Sequence, residues 1–311
     1  MQKIDGHLHL VRSIAGFNGN GRLNPLGAGR AVWDTGEAFQ LIPTGYGDEA
    51  FLAADAQRLM ATGQVDKAVL LQGSLNGYQN AYTADVVAQY PDQFVGAFAI
   101  DPFTQQVHQI VRHHVEDLHF RIMKLEMSFG GGLHGYHEPF NLAENSVLSE
   151  VFAYLNTFTG MTVVVDYGRG DEVSHQPTAI VALAQKYPQI DFVVAHLSFA
   201  QLDDLDNFDQ TLQMFKPFEN ICLDLSAIQD INDETAMPFM KSEKLVRRAI
   251  DMIGADHLIW GSDAPLSATK NAYADLANWL EVSGVFTEAE LQAMYYGTAE
   301  RVYFKAKRAF T

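Results

Sequence analysis

The sequence predicts an α/β fold in which eight parallel strands, each followed by a helix, close into a barrel. About eight short apolar runs are spread along the 311 residues, and a segment with helical periodicity follows each of them. Continuous apolar runs are typical of parallel strands that helices cover on both faces. Barrels of this kind commonly reach this length as one domain, so we expect a single domain over residues 1–311.

Strands and helices alternate along the predicted barrel, and Pro91 and Pro188 restrict the residues before them so that two of the helices end there. The predicted strands cover residues 4–10, 67–72, 94–100, 122–127, 162–167, 192–196, 221–225 and 258–261. The predicted helices cover residues 49–62, 77–89, 105–119, 146–158, 177–187, a segment ending near 215, 244–253, 272–281 and 288–304. A doubly wound open sheet usually begins with a glycine-rich turn that opens a helix, and Gly6 and His7 do not form one. We therefore predict a (β/α)8 TIM barrel with outer helices.

A long segment between the first strand and the first helix, residues 11–47, is rich in glycine and asparagine. Loops of this length are uncommon in compact domains and are usually functional or mobile. Because the segment follows a strand with two histidines, we expect a lid or a wall of a pocket. Its aromatic residues are candidates for substrate contact, or they pack the loop down: Phe17, Trp33, Phe39 and Tyr46.

The charge of the chain limits its partners. Lys and Arg number 21 against 38 Asp and Glu, for a net charge of −17. Nucleic acid and anionic membranes repel such a surface, so we expect a small-molecule substrate. No apolar run reaches the roughly 18–20 residues that span a bilayer, and no basic-then-apolar leader is apparent. The single cysteine, Cys222, cannot form an internal disulfide, which favours a cytoplasmic location.

The first strand carries two histidines, His7 and His9, at positions i and i+2. Strand side chains alternate between faces, so both imidazoles point the same way. A solvated strand or a buried core pair would explain two histidines equally well. Further ligands on later strands would favour a metal site.

Later strands do supply such residues. In TIM barrels the active site lies at the carboxyl ends of the strands. The ionisable residues expected at those ends are Lys124, Glu126, Asp166, His196, Asp224 and Asp263. Buried charges are paired or bind metals, and histidine with carboxylate is a usual zinc set of three protein ligands and a water. The sequence therefore predicts a divalent metal at the barrel mouth.

Three motifs, DGHLHL at residues 5–10, VVAHLSF at 193–199 and LIWGSDAP at 258–265, occur in order at barrel spacing. With the closing YYGTAERVYF, they resemble the amidohydrolase superfamily over the whole chain. The most similar branch contains aminocarboxymuconate-semialdehyde decarboxylase and pyrone-dicarboxylate lactonase. The resemblance implies a metal-dependent TIM-barrel hydrolase that often forms homodimers.

The resemblance also implies a role for each matching residue. His7 and His9 match the metal ligands of the first strand. His196 matches a sixth-strand histidine that either binds metal or polarises the substrate. Asp263 matches an aspartate that binds metal and takes a proton from the nucleophilic water, so Asp263 and His196 are the expected catalytic residues. As structural alternatives, His196 would be a core histidine and Asp263 would cap a turn.

The fifth strand departs from the family pattern, because Asp166 stands where most members have histidine. We expect Glu126 to replace the missing ligand, with Asp166 as the alternative. A two-metal site bridged by carboxylated Lys124 would need that histidine, so one metal is expected, zinc first and manganese second. Lys124 is then expected to meet an anionic group of the substrate.

Four further residues are candidates for substrate binding: Asp166, Arg169, His134 and His137. A structural ion pair between Asp166 and Arg169 remains open, as does solvation of the two loop histidines. Asp5 shares a face with His7 and His9 and is a candidate to orient one of them.

Three functions are compatible with these residues. The first is hydrolysis of a small, carboxylate-bearing amide, ester or lactone by a metal-activated water. The second is non-oxidative decarboxylation of an unsaturated or aromatic acid with the same metal. The third is a non-catalytic binding protein on a degenerate barrel, suggested by the altered fifth strand.

Overall fold

A barrel of parallel strands lies at the centre of the protein. The computed structural model describes residues 1–129 and 132–304, and within them eight strands form one sheet in chain order. They are β1 (Ile4–His9), β6 (Lys67–Leu71), β7 (Phe94–Ala99), β8 (Ile122–Glu126), β9 (Thr162–Asp166), β10 (Asp191–Val194), β11 (Ile221–Asp224) and β12 (Leu258–Ile259), with β2–β5 assigned below. Each adjacent pair from β1 to β12 is parallel. The predicted (β/α)8 TIM barrel is confirmed.

Backbone hydrogen bonds bring the last strand alongside the first. Gly6 N donates to Trp260 O at 2.9 Å, and Asp263 N donates to His7 O at 2.8 Å. His9 N then donates to Ala264 O at 2.8 Å, beyond the end of β12. The chain after β12 therefore stays paired with β1 as far as Ala264, which places Asp263 beside the two histidines.

Helices surround the strands. They are Ala53–Thr62, Asn80–Gln89, Val107–Arg112, Gly132–Gly135, Ser146–Leu155, Pro177–Lys186, Leu205–Phe215, Ile228–Ile231, Met240–Ile253, Tyr273–Ser283, Glu288–Gln292 and Thr298–Tyr303. π-Helical turns lie at His113–Asp117 and Ala293–Gly297, and 3-10 turns at Ala195–Phe199, Ala255–His257 and Ser267–Thr269. Among the helices of the described ranges, none has both the length and the apolar character needed to cross a bilayer.

Several predicted boundaries were wrong for local reasons. The first helix begins at Ala53 instead of residue 49, because the backbone of Phe51 pairs with Val11 through bonds of 2.7 and 2.9 Å. The sixth strand ends at Val194 instead of residue 196, because the chain turns left-handed from His196. The predicted helix 288–304 is two helices joined by the π-helical turn.

The segment 11–47, expected as a loop, contains an antiparallel sheet. Its strands are β2 (Phe17–Asn18), β3 (Gly21–Gly27), β4 (Arg30–Trp33) and β5 (Ala38–Gln40), in that order. Gly27 and Gly29 supply positive φ at the β3–β4 turn, which glycine adopts without a steric penalty. Because most residues of β3 are at least partly exposed, no apolar run revealed these strands. A lid or wall function for the sheet remains a prediction.

The lower part of the barrel interior is filled with apolar side chains. Alternate strand residues such as Val69, Val164 and Cys222 form one buried cluster, which the C-terminal helix closes with Val302 and Tyr303. A second cluster lies between the strands and the outer helices. Since the bottom is packed, polar residues on the same inward faces gather at the carboxyl ends of the strands.

The closure of the barrel gives a testable prediction. A Cβ at Gly6 would overlap the Ile259 side chain and lie 2.9 Å from Trp260 O. Overpacking of this kind costs about 1–3 kcal/mol, so Gly6→Ala should lower the free energy of unfolding by that amount. Urea denaturation measures it. Gly297→Ala is the matched control, because its nearest atom is 3.6 Å away and its φ of −58° is helical. Equal stability of the two variants would contradict this account of closure.

Candidate active site

Three side chains from the two ends of the chain meet at the barrel mouth. His7 Nε2 and His9 Nε2 are 3.1 Å apart. Asp263 Oδ1 lies 3.1 Å from His9 Nε2 and 3.5 Å from His7 Nε2. The hydrogen bonds between β1 and the segment after β12 fix these separations, because each residue sits directly in the paired backbone.

The ring of His7 is oriented from the opposite wall of the barrel. Its Nδ1 lies 3.0 Å from Asp224 Oδ2, at the end of β11, and 3.0 Å from Ser226 Oγ. A carboxylate accepts, so Nδ1 carries the proton and Nε2 of the neutral ring keeps its lone pair. Burial lowers the pKa of His7 to about 4, against the opposing charge of Asp224. The ring is therefore neutral at pH 7, as a metal ligand must be.

Neighbouring groups also set the protonation of His9 and Asp263. His9 Nδ1 lies 3.1 Å from the carbonyl oxygen of Leu71, which only accepts, so Nε2 of the neutral ring again has a free lone pair. Burial would raise the pKa of Asp263, but its interactions with the adjacent His9, His7 and His196 side chains outweigh burial and hold the pKa well below its usual range. Asp263 is thus a carboxylate at neutral pH.

The three atoms fit a divalent cation. Metal–ligand distances of about 2.0–2.2 Å at tetrahedral angles place ligand atoms roughly 3.3–3.6 Å apart. The observed separations of 3.1, 3.1 and 3.5 Å are close to that range. Two lone pairs and a carboxylate oxygen facing one another in a buried site need a positive charge between them. The donor set is also the usual one for zinc.

His196 lies next to this group. Its ring stacks on His7 with centroids 5.0 Å apart, and its Nδ1 lies 3.0 Å from the carbonyl oxygen of Ser226. Its Nε2 lies 3.8 Å from Asp166 Oδ2. Burial lowers the pKa of His196, but the charges of Asp166, Asp224 and Asp263 outweigh it and raise the pKa above its ordinary value. Its roles as a metal ligand and as a catalytic residue both remain predictions, and with His7 and Asp224 it forms one group of potential ligands.

A strained backbone holds His196 in place. Four consecutive residues, from His196 to Phe199, have φ between 50° and 58°, and none is glycine. Left-handed backbone costs roughly 1–2 kcal/mol for each such residue, and strain of this kind clusters at functional sites.

Lys124 and Glu126 form a buried ion pair on β8. Lys124 Nζ lies 3.2 Å from Glu126 Oε1 and 3.4 Å from His7 Nε2. Burial lowers the pKa of Lys124, but the charges of Glu126, Asp166 and Asp263 outweigh it and raise the pKa, so the amine stays a cation. Ser74 N and Ser74 Oγ donate to Glu126 Oε2 at 2.5 and 2.7 Å. The structure thus places Glu126 with Lys124 and Ser74, and its placement as the third metal ligand remains untested.

His134 joins Glu126 and Asp166 in a second polar group. Its Nδ1 lies 3.0 Å from Ser74 Oγ and 3.4 Å from Glu126 Oε2, and its Nε2 lies 3.5 Å from Asp166 Oδ2. Burial lowers the pKa of His134, but the charges of Glu126 and Asp166 outweigh it and raise the pKa. Groups of potential ligands in the described residues are His7, His9 and Asp263; His7, His196 and Asp224; and Glu126, His134 and Asp166.

The two remaining candidates lie elsewhere. Arg169 pairs with Asp171 at 3.4 Å, and half of its side chain is exposed. No contact between Asp166 and Arg169 is seen in the described residues; Asp166 Oδ1 instead accepts from Gly168 N at 3.2 Å. His137 lies 3.1 Å from both oxygens of Asp101.

Sequence reasoning missed several residues that support the site. The sequence predicts Asp224 at a strand end but assigns it no role, whereas in the structure it orients His7. Ser74 and Ser226 gave no signal, because isolated serines are common in loops. Within the described residues no hydrogen bond joins Asp5 to an imidazole; it accepts from His7 N at 3.1 Å, Ser262 N at 2.9 Å and the Tyr273 hydroxyl at 2.8 Å.

The barrel and the polar cluster at its mouth define an enzyme of the (β/α)8 barrel class. The chain belongs to the amidohydrolase family, whose model, described as "Amidohydrolase", matches residues 4–305. The family expected from the three motifs is thereby confirmed. No curated protein sequence matches the chain significantly.

Solved structures share the fold at low sequence identity. An amidohydrolase from Burkholderia multivorans with bound zinc is 16% identical with a TM-score of 0.68, covering 98% of this chain and 99% of that one. A probable 2-pyrone-4,6-dicarboxylic acid hydrolase from Acinetobacter baumannii with citric acid bound is 15% identical with a TM-score of 0.67, covering 98% and 100%. 2,6-Dihydroxybenzoate decarboxylase from Rhizobium is 14% identical with a TM-score of 0.61, covering 82% and 89%. At these identities the likeness shows the fold.

The orientation of His7 gives a second prediction. Asp224→Asn removes the charge that orients the His7 ring, and the loss of such a partner typically weakens metal binding about 10- to 100-fold. Calorimetric titration of the metal-free protein with zinc measures the change in affinity. Asp171→Asn, at an exposed ion pair, should bind zinc as the wild type does. Wild-type affinity in Asp224→Asn would show that Asp224 has no part in metal binding.

Proposed function

We propose that this enzyme hydrolyses a small ester, lactone or amide with a divalent metal held by His7, His9 and Asp263. The observation that carries the proposal is the convergence of three acceptor atoms, 3.1 to 3.5 Å apart, at the open end of the barrel. Three protein ligands and one open position are typical of catalytic zinc sites. When bound there, the ion supplies Lewis acidity and lowers the pKa of a water from 15.7 towards about 7.

Side chains of the protein supply the proton transfer, the stabilisation of negative charge and the binding of the substrate. Asp263, ionised and beside the open position, accepts the proton of the attacking water. His196 presents Nε2 to the mouth and donates a hydrogen bond to the carbonyl oxygen as negative charge develops on it. His134 and Asp166, whose Nε2 and Oδ2 atoms lie 3.5 Å apart at the same opening, bind polar groups of the substrate.

The substrate carboxylate expected from the sequence remains a prediction. It depended on Lys124 and Arg169 as its partners. In the structure Lys124 pairs with Glu126 and Arg169 pairs with Asp171. A substrate carboxylate at the mouth would therefore have to compete with a carboxylate of the protein for either cation.

Zinc is the metal we propose, with manganese second, because imidazole with one carboxylate suits zinc and a Burkholderia relative of the same fold contains it. The buried free thiol of Cys222 supports the predicted cytoplasmic location. Assembly into a homodimer also remains a prediction.

Turnover of defined substrates tests the function. Zinc-loaded enzyme should release protons from small lactones and esters in the panel, measured by pH-stat titration, and free amine from small amides, measured by an amine assay. His196→Asn should lower kcat about 10²- to 10³-fold with zinc still bound, because one donor to the oxyanion is lost. Asp263→Asn should lower kcat about 10²- to 10⁴-fold through loss of the base.

The alternative reactions give different results in the same assay. Carbon dioxide released from a dihydroxybenzoate- or muconate-type acid, with no hydrolysis in the panel, would favour decarboxylation. Protein that binds no divalent ion after supplementation would favour the non-catalytic reading. Wild-type turnover in His196→Asn would remove this histidine from the mechanism.

A further inference from the structure

We propose that the antiparallel sheet β2–β5 positions His134 in the active site, with Phe17 and Gly19 as the positioning residues. The consequence for catalysis rests on the proposed function, in which His134 binds the substrate. The positioning itself rests on contacts between β2 and the two segments that hold the His134 ring, and it can be measured without a substrate.

The turn that carries His134 needs support from outside. Leu133 and His134 have φ of 59° and 52°, and Gly135 has φ of 79°. Left-handed backbone at non-glycine residues persists only where the surroundings determine it. Within the described residues, the side chain of His134 is held by Ser74, Glu126 and Asp166.

The backbone of this turn is held by the sheet. Gly19 N, directly after β2, donates to His134 O at 3.0 Å. The two chains approach so closely that a Cβ at position 19 would lie 2.8 Å from Gly135 O and 3.2 Å from Gly135 C. The next residue, Tyr136, contacts the Phe17 ring edge-to-face with centroids 5.5 Å apart.

The same strand also holds the residue that contacts the His134 ring. Phe17 N donates to Ser74 O at 2.9 Å, and Ser74 Oγ lies 3.0 Å from His134 Nδ1. The Phe17 ring meets Tyr78, in the same segment as Ser74, at 5.3 Å. Strand β2 therefore fixes both the backbone of His134 and the partner of its imidazole, which sets where Nε2 points.

Hydrogen exchange tests the positioning directly. Gly19→Ala and Phe17→Ala should speed amide exchange in peptides from residues 133–140 about tenfold, equivalent to about 1.4 kcal/mol of local protection. Asn20→Ala, next to Gly19, and Phe39→Ala, which removes a ring stacked on Trp33 in the same sheet, are the matched controls. Both controls should exchange as the wild type does. The zinc content should be unchanged in all four variants, because in the described part of the chain no hydrogen bond or ring contact is seen between β2 and His7, His9 or Asp263.

Kinetic measurements then test whether the effect of Gly19 on catalysis acts through His134. Displacement of a substrate-binding group by about 1 Å costs roughly 10²-fold, so Gly19→Ala should lower kcat/KM by up to that factor. In a His134→Gln background, Gly19→Ala should cost almost nothing more, because a double-mutant cycle exposes a shared mechanism. Phe17→Leu, which keeps an apolar side chain, should lie between the wild type and Phe17→Ala.

Two results would overturn the proposal. One is unchanged exchange at residues 133–140 in folded Gly19→Ala and Phe17→Ala. The other is full additivity of Gly19→Ala with His134→Gln. If no substrate of the panel is turned over, the proposed function fails, while the exchange and zinc measurements still decide whether the sheet positions His134.

Discussion

The arrangement at the barrel mouth depends on three unprotonated acceptor atoms that lie close to one another. His7 and His9 each direct Nδ1 to an acceptor, Asp224 Oδ2 and the Leu71 carbonyl, and present Nε2 to each other and to Asp263. In a buried site such a group is unfavourable unless a cation neutralises it. Because the fold already holds His7, His9 and Asp263 together, a cation bound at the proposed site would not have to order them.

Closure of the barrel makes this convergence possible. Residues 7 and 263 lie at opposite ends of the chain, yet Asp263 N bonds to His7 O at 2.8 Å. Gly261 lies beside His7 so closely that a Cβ there would be 2.8 Å from His7 Cβ. Small residues at the junction of the first and last strands thus allow the backbone approach that sets the spacing of His7, His9 and Asp263.

Some residues at the barrel mouth lie on paired strands, and others lie on turns that neighbouring segments stabilise. His7, His9 and Asp263 sit on or directly after paired strands, which position side chains more accurately than loops do. His196 and His134 sit on left-handed turns, whose strain the surrounding structure must compensate. For His134 that support comes from Ser74 and from a sheet inserted between the first strand and the first helix.

Much of the fold and part of the site could be predicted from residues alone. Apolar runs and helical periodicity determine the alternation of strands and helices, and the His7–His9 spacing determines that both rings share a face. The antiparallel sheet could not be predicted, because its short strands are largely exposed and contain no apolar run.

The sequence by itself determined the barrel, the family and the identity of the strand-end residues, because local patterns encode them. Only the tertiary structure decided which of those residues meet. In the structure, Asp224 contacts Nδ1 of His7, Lys124 forms an ion pair with Glu126, and Arg169 forms an ion pair with Asp171. The physical reason is that side-chain partners depend on distances between strands and loops far apart in the chain, which no local pattern specifies.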